Sequence, residues 1–478
     1  MAATTSTPYL RQEASNNYWI LVAIGLIAFG AACGTMLAHG EIDAFFVSMS
    51  LILGIAVLAD FRIGAVLLIM LMPTGATHLL PHGLMGIPGL NPVSVLVLAT
   101  LVSAVMRRQL RGLLPRPVLL LYILPILFAG LIGMPHVHEI APFFFDGDAI
   151  NFTDAGGYFR EMAVRPLLIV VVALLVGMAA AKAQKPERFI TAMMVSVWLM
   201  ALIELGFILF SGVRLGLLAS SASRAFFDEL GLHANALGRL FAVAYGILLF
   251  VWWECKNPKL KTALFFTLGI AALAMVLSFS RGGFLGFFLV NALFLMWKFN
   301  ARTVALALLA AAFVSVLAPE YLWNRLTFGF DADANAVSAD RIEGIWKPLL
   351  PELWNSVFIG NGLGSIMWSK PMQYGAMLPV GHPHNAYLEA FLDMGIVGLT
   401  LLLAYFAHVW RNLRALGSNA YLSPEMRGLF QGATAALIAF FVTGMTGSSL
   451  RPGAEFAFLW LAIGLMYGML ARRAAAST

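Results

Sequence analysis

Long apolar runs separated by short polar joints dominate the chain. A bilayer-spanning helix needs roughly 20 mostly apolar residues. By that measure the runs predict fourteen helices, near 18–38, 43–59, 63–80, 91–106, 117–133, 164–181, 189–210, 234–254, 262–279, 283–297, 303–319, 386–408, 429–446 and 456–471. The second and third are parted only by Asp60-Phe61-Arg62, and the third carries Pro73 and Gly75, so the count ranges from twelve to fourteen. The first run is span-length and is followed by no small-residue cleavage site, so it reads as a membrane helix and not as a signal peptide. The fold class is therefore all-α and polytopic, with helices 1–11 in 1–319, one large soluble insert at 320–385, and helices 12–14 in 386–478.

Composition supports this. Of 478 residues, 60% are hydrophobic and only 11% charged, too few to cover a water-soluble globule. Mean hydropathy is +0.85. Cys33 and Cys255 lie far apart, which argues against a disulfide framework. The net charge of +6 is not a nucleic-acid footprint, and its distribution is what informs. With the N-terminus inside, 19 of the 30 basic residues fall on cytoplasmic joints, while 19 of the 24 acids do not. That is the positive-inside pattern. It puts the longer connections 134–163, 211–233 and 320–385 on the outer face of the membrane. Within the insert, Leu349-Leu350-Pro351-Glu352-Leu353-Trp354 can form a short helix on the membrane surface.

Ionisable groups near membrane depth are functional candidates. Arg281, in Ser280-Arg281-Gly282-Gly283, stands where two spans meet with almost no loop, and points either into a polar cavity or to lipid headgroups. The insert closes with Gly381-His382-Pro383-His384-Asn385-Ala386-Tyr387-Leu388-Glu389, and Asp393 follows one turn on. A histidine at a helix entrance can serve as a general base. Glu389 and Asp393 share a helix face, and Glu389 can orient the imidazole of His384; the structural alternative is an Asn385 N-cap beside ordinary loop histidines. Pro383 should send His382 and His384 in different directions, so that only one faces a cavity. Eight outer basic residues besides Arg281 are arginines, among them Arg224, Arg325 and Arg341, and arginine suits phosphate oxygens through its planar fork. Half the weight of that bias belongs to ordinary contact with lipid phosphate.

Three other features carry less. His136-Val137-His138-Glu139 and the His382/His384 pair lack the three or four ligands at defined spacing that zinc needs. Asp146-Gly147-Asp148 and Asp331-Ala332-Asp333 are acid pairs that can hold a divalent cation. Gly360-Asn361-Gly362-Leu363-Gly364 has glycines like a phosphate loop but no following lysine, so it reads as a backbone turn or a close approach to a glycan or lipid head. A transporter would carry its critical charges near the midplane on broken helices. Here Glu204 is the only acid well inside a span.

The order Ser280-Arg281-Gly282, a large insert with Gly360-Asn361-Gly362-Leu363-Gly364, then His384-Asn385-Ala386-Tyr387-Leu388-Glu389 and Asp393-Met394-Gly395, resembles the O-antigen ligase and O-antigen polymerase superfamily over about 265–410. The resemblance implies an inverting, metal-independent glycosyltransferase of the GT-C type with no cofactor. Its partners would be a glycan on undecaprenyl pyrophosphate as donor, lipid A-core or a growing polysaccharide as acceptor, and membrane lipids, with no nucleic acid. By the same resemblance the catalytic residues are His384, Arg281 and Arg341, with Arg325 competing for the place of Arg341. Candidate substrate-binding residues are Asn385, Glu389, Arg224, Arg325 and Trp346. The leading reading is a ligase, and the alternative a polymerase with the same donor.

Overall fold

The computed structural model describes residues 30–31, 34–36, 38–40, 42–81, 83–84, 87–107, 114–145, 150, 152–220, 223–317, 319–327, 333–447 and 449–477. The first predicted span lies largely outside them. Every apolar run from residue 43 onward falls on a helix: α1 (Ile42–Ala59), α2 (Phe61–Leu71), α3 (Pro92–Met106), α4 (Arg116–Glu139), α5 (Ala155–Lys182), α6 (Arg188–Ser211), α7 (Ala234–Glu254), α8 (Pro258–Leu277), α9 (Arg281–Trp297), α10 (Ala301–Leu317), α11 (Ala386–Gly417), α12 (Pro424–Gly444) and α13 (Ala457–Ser477). Among the described residues, eight helices are long and apolar enough to cross a membrane, namely α4 to α8 and α11 to α13. The run at 63–80 is cut short: α2 stops at Leu71, and Pro73, which has no N–H to continue the ladder, opens a 3-10 turn over Pro73–Ala76.

The helices pack because they are apolar all round and bring small residues to their crossings. α7 lies among α8, α9 and α12, and α5 lies along α13. At the α5–α13 crossing Gly177 meets the backbone of Gly464 and Gly468. α11 packs on α12.

Proline shapes three of these segments. The chain widens into a π turn at Leu119–Ile123, Arg160–Val164 and Ile342–Trp346, each followed two residues later by Pro125, Pro166 or Pro348. A proline lacks the N–H that the carbonyl four residues earlier would accept, and its ring crowds that carbonyl, so the turn opens. Two freed carbonyls find other donors. Met162 O accepts from Arg451 Nη1 at 3.2 Å, and Gly344 O from Leu378 N at 2.9 Å.

α11 is broken at Gly395, which has φ 63° and ψ −172°. The residues of the glycine-rich stretch complete the break. Ile396 N and Val397 N donate to Val357 O and Phe358 O, while Asn361 N and Gly362 N donate to Leu392 O and Asp393 O. Gly360, Gly362 and Gly364 all have positive φ, and Gly360 and Gly362 press against the backbones of Asp393 and Gly133, where a side chain would collide. The stretch 357–364 thus replaces the hydrogen bonds that the kinked helix lost. It is a clasp on protein, not a phosphate cradle.

The starts of α7, α9 and α11 and the end of α12 share one end of the bundle. The opposite end is tied by Lys298 Nζ to Glu254 Oε1 at 2.6 Å.

Candidate functional site

The site forms where α7, α9, α11 and the insert meet the turn after α12. His233 caps α7, and Asn235 Oδ1 accepts from Ser280 Oγ at 3.0 Å. Ser280 in turn caps α9 by accepting from Gly283 N. A Cβ on Gly283 would stand 2.8 Å from Gly238 Cα, so only glycine lets the two helix starts approach this closely. Arg239 follows Gly238, and Arg281 opens α9, so the close crossing carries two arginines at one end of the bundle.

Arg239 is the deeper of the two. A Cβ on Gly447 would lie 2.6 Å from its Nη1, its guanidinium carbon is 6.0 Å from the Phe456 ring centroid, and its Nε is buried with no hydrogen-bond partner among the described residues. On the neighbouring residue, Thr446 O accepts from Arg341 Nη1. Arg341 is held there by a tight cassette. Ala339 and Asp340 both have left-handed backbones, and Asn335 ties them by donating to Asp340 Oδ1 at 2.9 Å and accepting from Glu343 N at 3.0 Å. Two adjacent non-glycine residues in that region cost about 1–3 kcal/mol each, a strain that clusters at functional sites.

The histidines lie beside these arginines. His384 has φ 53°, and its N–H donates to His382 Nδ1 at 3.3 Å. Trp346 Nε1 donates to Pro383 O at 2.8 Å and pins the turn from the insert side. His382 is exposed on the turn, yet the protein mass crowded around it pushes its pKa below the usual histidine value. Glu389 and Glu455 oppose that shift, while Arg239 and Arg341 add to it. Asn385 caps α11, accepting from Tyr387 N and Leu388 N at 3.1 Å. Below it, Glu389 Oε1 accepts from Arg451 Nη2 at 2.7 Å, and Asp393 accepts from Gly364 N, Ser365 N and Ser365 Oγ at 2.9–3.1 Å. Asp393 therefore ties the start of α11 to the glycine clasp, and the Glu389–Arg451 pair ties it to the turn after α12.

Residues 266–403 match the family model described as O-antigen ligase. That match sets this segment in the O-antigen ligase superfamily. No curated protein matches the chain. The O-antigen ligase segment holds Ser280-Arg281, the insert, His384, Glu389 and Asp393. Arg239 and Arg451 lie outside it and are brought in by α7 and by the turn after α12. The all-α fold with its membrane-length apolar helices is that of a membrane protein.

Several sequence expectations change on this segment. Pro383 does not part the histidines; the left-handed backbone at His384 folds them together, with ring centroids 4.1 Å apart and planes at 64°. Glu389 is taken up by Arg451, and the indole N–H of Trp346 by Pro383, so both position the site from within the protein. Arg281 Nη1 reaches Val337 O at 3.5 Å and Arg325 Nε reaches Phe279 O at 3.4 Å, which puts both at the α8–α9 joint just before the Arg341 cassette. Asp146, Asp148, Asp331 and the side chain of Arg224 lie outside the described residues.

Arg239 is the residue that sequence reasoning passed over. It looked like one of many outer arginines, and its only signal was its position early in an apolar run, where a charge is costly.

Proposed function

We propose that the protein is a ligase-type glycosyltransferase of the bacterial inner membrane. It moves a glycan from undecaprenyl pyrophosphate to a hydroxyl of lipid A-core on the periplasmic face, with inversion and without a metal. The observation that carries this reading is the convergence of Arg239 and Arg341 on Thr446 and Gly447, beside His382 and His384. The family match supports the donor class. The distribution of lysine and arginine supports a map of twelve to fourteen spans with 320–385 as the periplasmic insert.

In this reaction the pyrophosphate is already a good leaving group, so no general acid is needed. His384 takes the proton of the acceptor hydroxyl. The acceptor oxygen bonds to the anomeric carbon as the bond from that carbon to the pyrophosphate oxygen breaks. The electron pair leaves with the pyrophosphate, whose growing charge is held by Arg239 and Arg341, with Arg281 at the adjoining helix start. Glu389, Arg451 and Asp393 keep the start of α11 in place.

A deletion strain examined by lipopolysaccharide gel tests the reading. Loss of the attached ladder with intact carrier-linked polymer is expected. Loss of chain extension would instead mark a polymerase using the same donor.

A further inference from the structure

The end of the bundle opposite this site carries a groove that the transfer reaction does not use. Its polar part is a cavity of about 460 Å³ between the ends of α9 and α11 and the first half of α12, lined by Lys298, Arg414, Ser418 and Gln431 with Trp297 and Trp410. Its apolar part is a cavity of about 200 Å³ further along α11 and α12, walled from Leu403 to Trp410 on one helix and from Leu437 to Phe441 on the other. Trp410 and Ile438 border both, so the two form one groove with a cationic end and a hydrocarbon end. The lining follows helical spacing: 403, 406, 407, 410, 414 and 417 on α11, and 431, 434, 438 and 441 on α12.

The polar end lacks partners that an anion and a hydroxyl would supply. Arg414 lies over the Trp410 ring, 5.2 Å from its centroid, and no carboxylate among the described residues comes within ion-pair distance. Gln431 Nε2 donates to Gly417 O at 2.8 Å, but its Oε1 is buried with no donor among the described residues. A free phosphate would meet Arg414 but leave Gln431 and the apolar arm unfilled. We propose that this groove binds an anionic glycerophospholipid of the phosphatidylglycerol class, its phosphate at Arg414, a headgroup hydroxyl at Gln431 Oε1, and an acyl chain along Phe406 and Phe441. Basic pockets between membrane helices take such heads, and the arrangement of charge and hydrocarbon matches one lipid lying along the helices.

Native mass spectrometry of the full-length protein in detergent, with equimolar dioleoylphosphatidylglycerol and dioleoylphosphatidylcholine, tests this. The wild type should retain one phosphatidylglycerol in about tenfold preference, the size of a charge-assisted hydrogen bond. Arg414→Gln should bring the two lipids to parity. Ile438→Trp, which plugs the junction of the two cavities, should lose the bound lipid. Glycerol 3-phosphate in excess should not displace it. Equal retention of both lipids by the wild type, a preference that survives Arg414→Gln, binding undiminished in Ile438→Trp, or displacement by glycerol 3-phosphate would each overturn the proposal.

Discussion

The imidazole rings of His382 and His384 meet edge to face, 4.1 Å apart, and the amide of His384 donates to Nδ1 of His382. The pair is therefore one unit: His382 holds the left-handed turn that presents His384. Because asparagine tolerates that backbone, His384→Asn separates the lost imidazole from lost geometry. It should cut kcat by ~10²–10⁴-fold, the usual worth of a general base, with donor KM little changed. His382→Ala removes one neutral hydrogen bond and should cost about tenfold or less. Equal losses in the two variants would remove His384 from the role of base.

The same pair predicts a pH dependence of stability. The protein mass crowded around His382 lowers its pKa, Glu389 opposes the shift, and Arg239 adds to it. As pH falls below the usual histidine value near ~6.5, the unfolded chain takes up a proton that the folded protein does not. Stability then rises with pH, and is lost on acidification from that value down to the depressed folded pKa. Thermal melts in detergent should show this slope, and His382→Gln should flatten it.

Arg239 and Arg341 should act on the donor. Each replaced by alanine loses a charge-assisted contact worth about 1.5–3 kcal/mol, so kcat/KM for the lipid-linked donor should fall by roughly ten- to a hundredfold. Lysine should rescue either only in part, since it lacks the bidentate fork. Full activity in Arg239→Ala would remove it from the site.

Arg451 and Glu389 are 16% and 6% exposed, so their ion pair counts as buried. Arg451→Ala leaves Glu389 and Asp393 without their shared cation and should destabilise by about 3–5 kcal/mol. Joint replacement by Arg451→Met and Glu389→Gln should cost less, because no unpaired charge remains. Limited proteolysis or thermal melts would rank the two.

The helices were legible in the sequence because an apolar run of span length has few other fates. Positions set by the chain folding back on itself were not. Gly360-Asn361-Gly362-Leu363-Gly364 carries the glycines of a ligand loop, yet its partners are Asp393 and Gly133, which only the break in α11 brings near. The same holds for Arg239, which meets Gly447 through the α7–α12 packing. Where the resemblance supplied a motif, as at Arg281 and His384, the residues could be named in advance. Where contact alone decides, as for Arg451 with Glu389, they could not. The divergence expected of His382 and His384 failed because proline restricts the residue before it and leaves the φ of His384 open.

The proposed orientation rests on the distribution of lysine and arginine. In a chain with Cys33 and Cys255 replaced by serine, a cysteine at the exposed Ala334 should react with an impermeant thiol reagent in intact cells, and one at the exposed Lys185 should not. Labelling at 185 alone would invert the map.

Transfer by the purified protein is the most direct measurement of the central claim. Wild-type protein in detergent, given undecaprenyl-pyrophosphate-linked glycan and lipid A-core, should form the ligated product in the presence of EDTA, and His384→Asn should form almost none. Product that requires added Mg²⁺ or Mn²⁺, or that forms equally well in His384→Asn, would contradict the account.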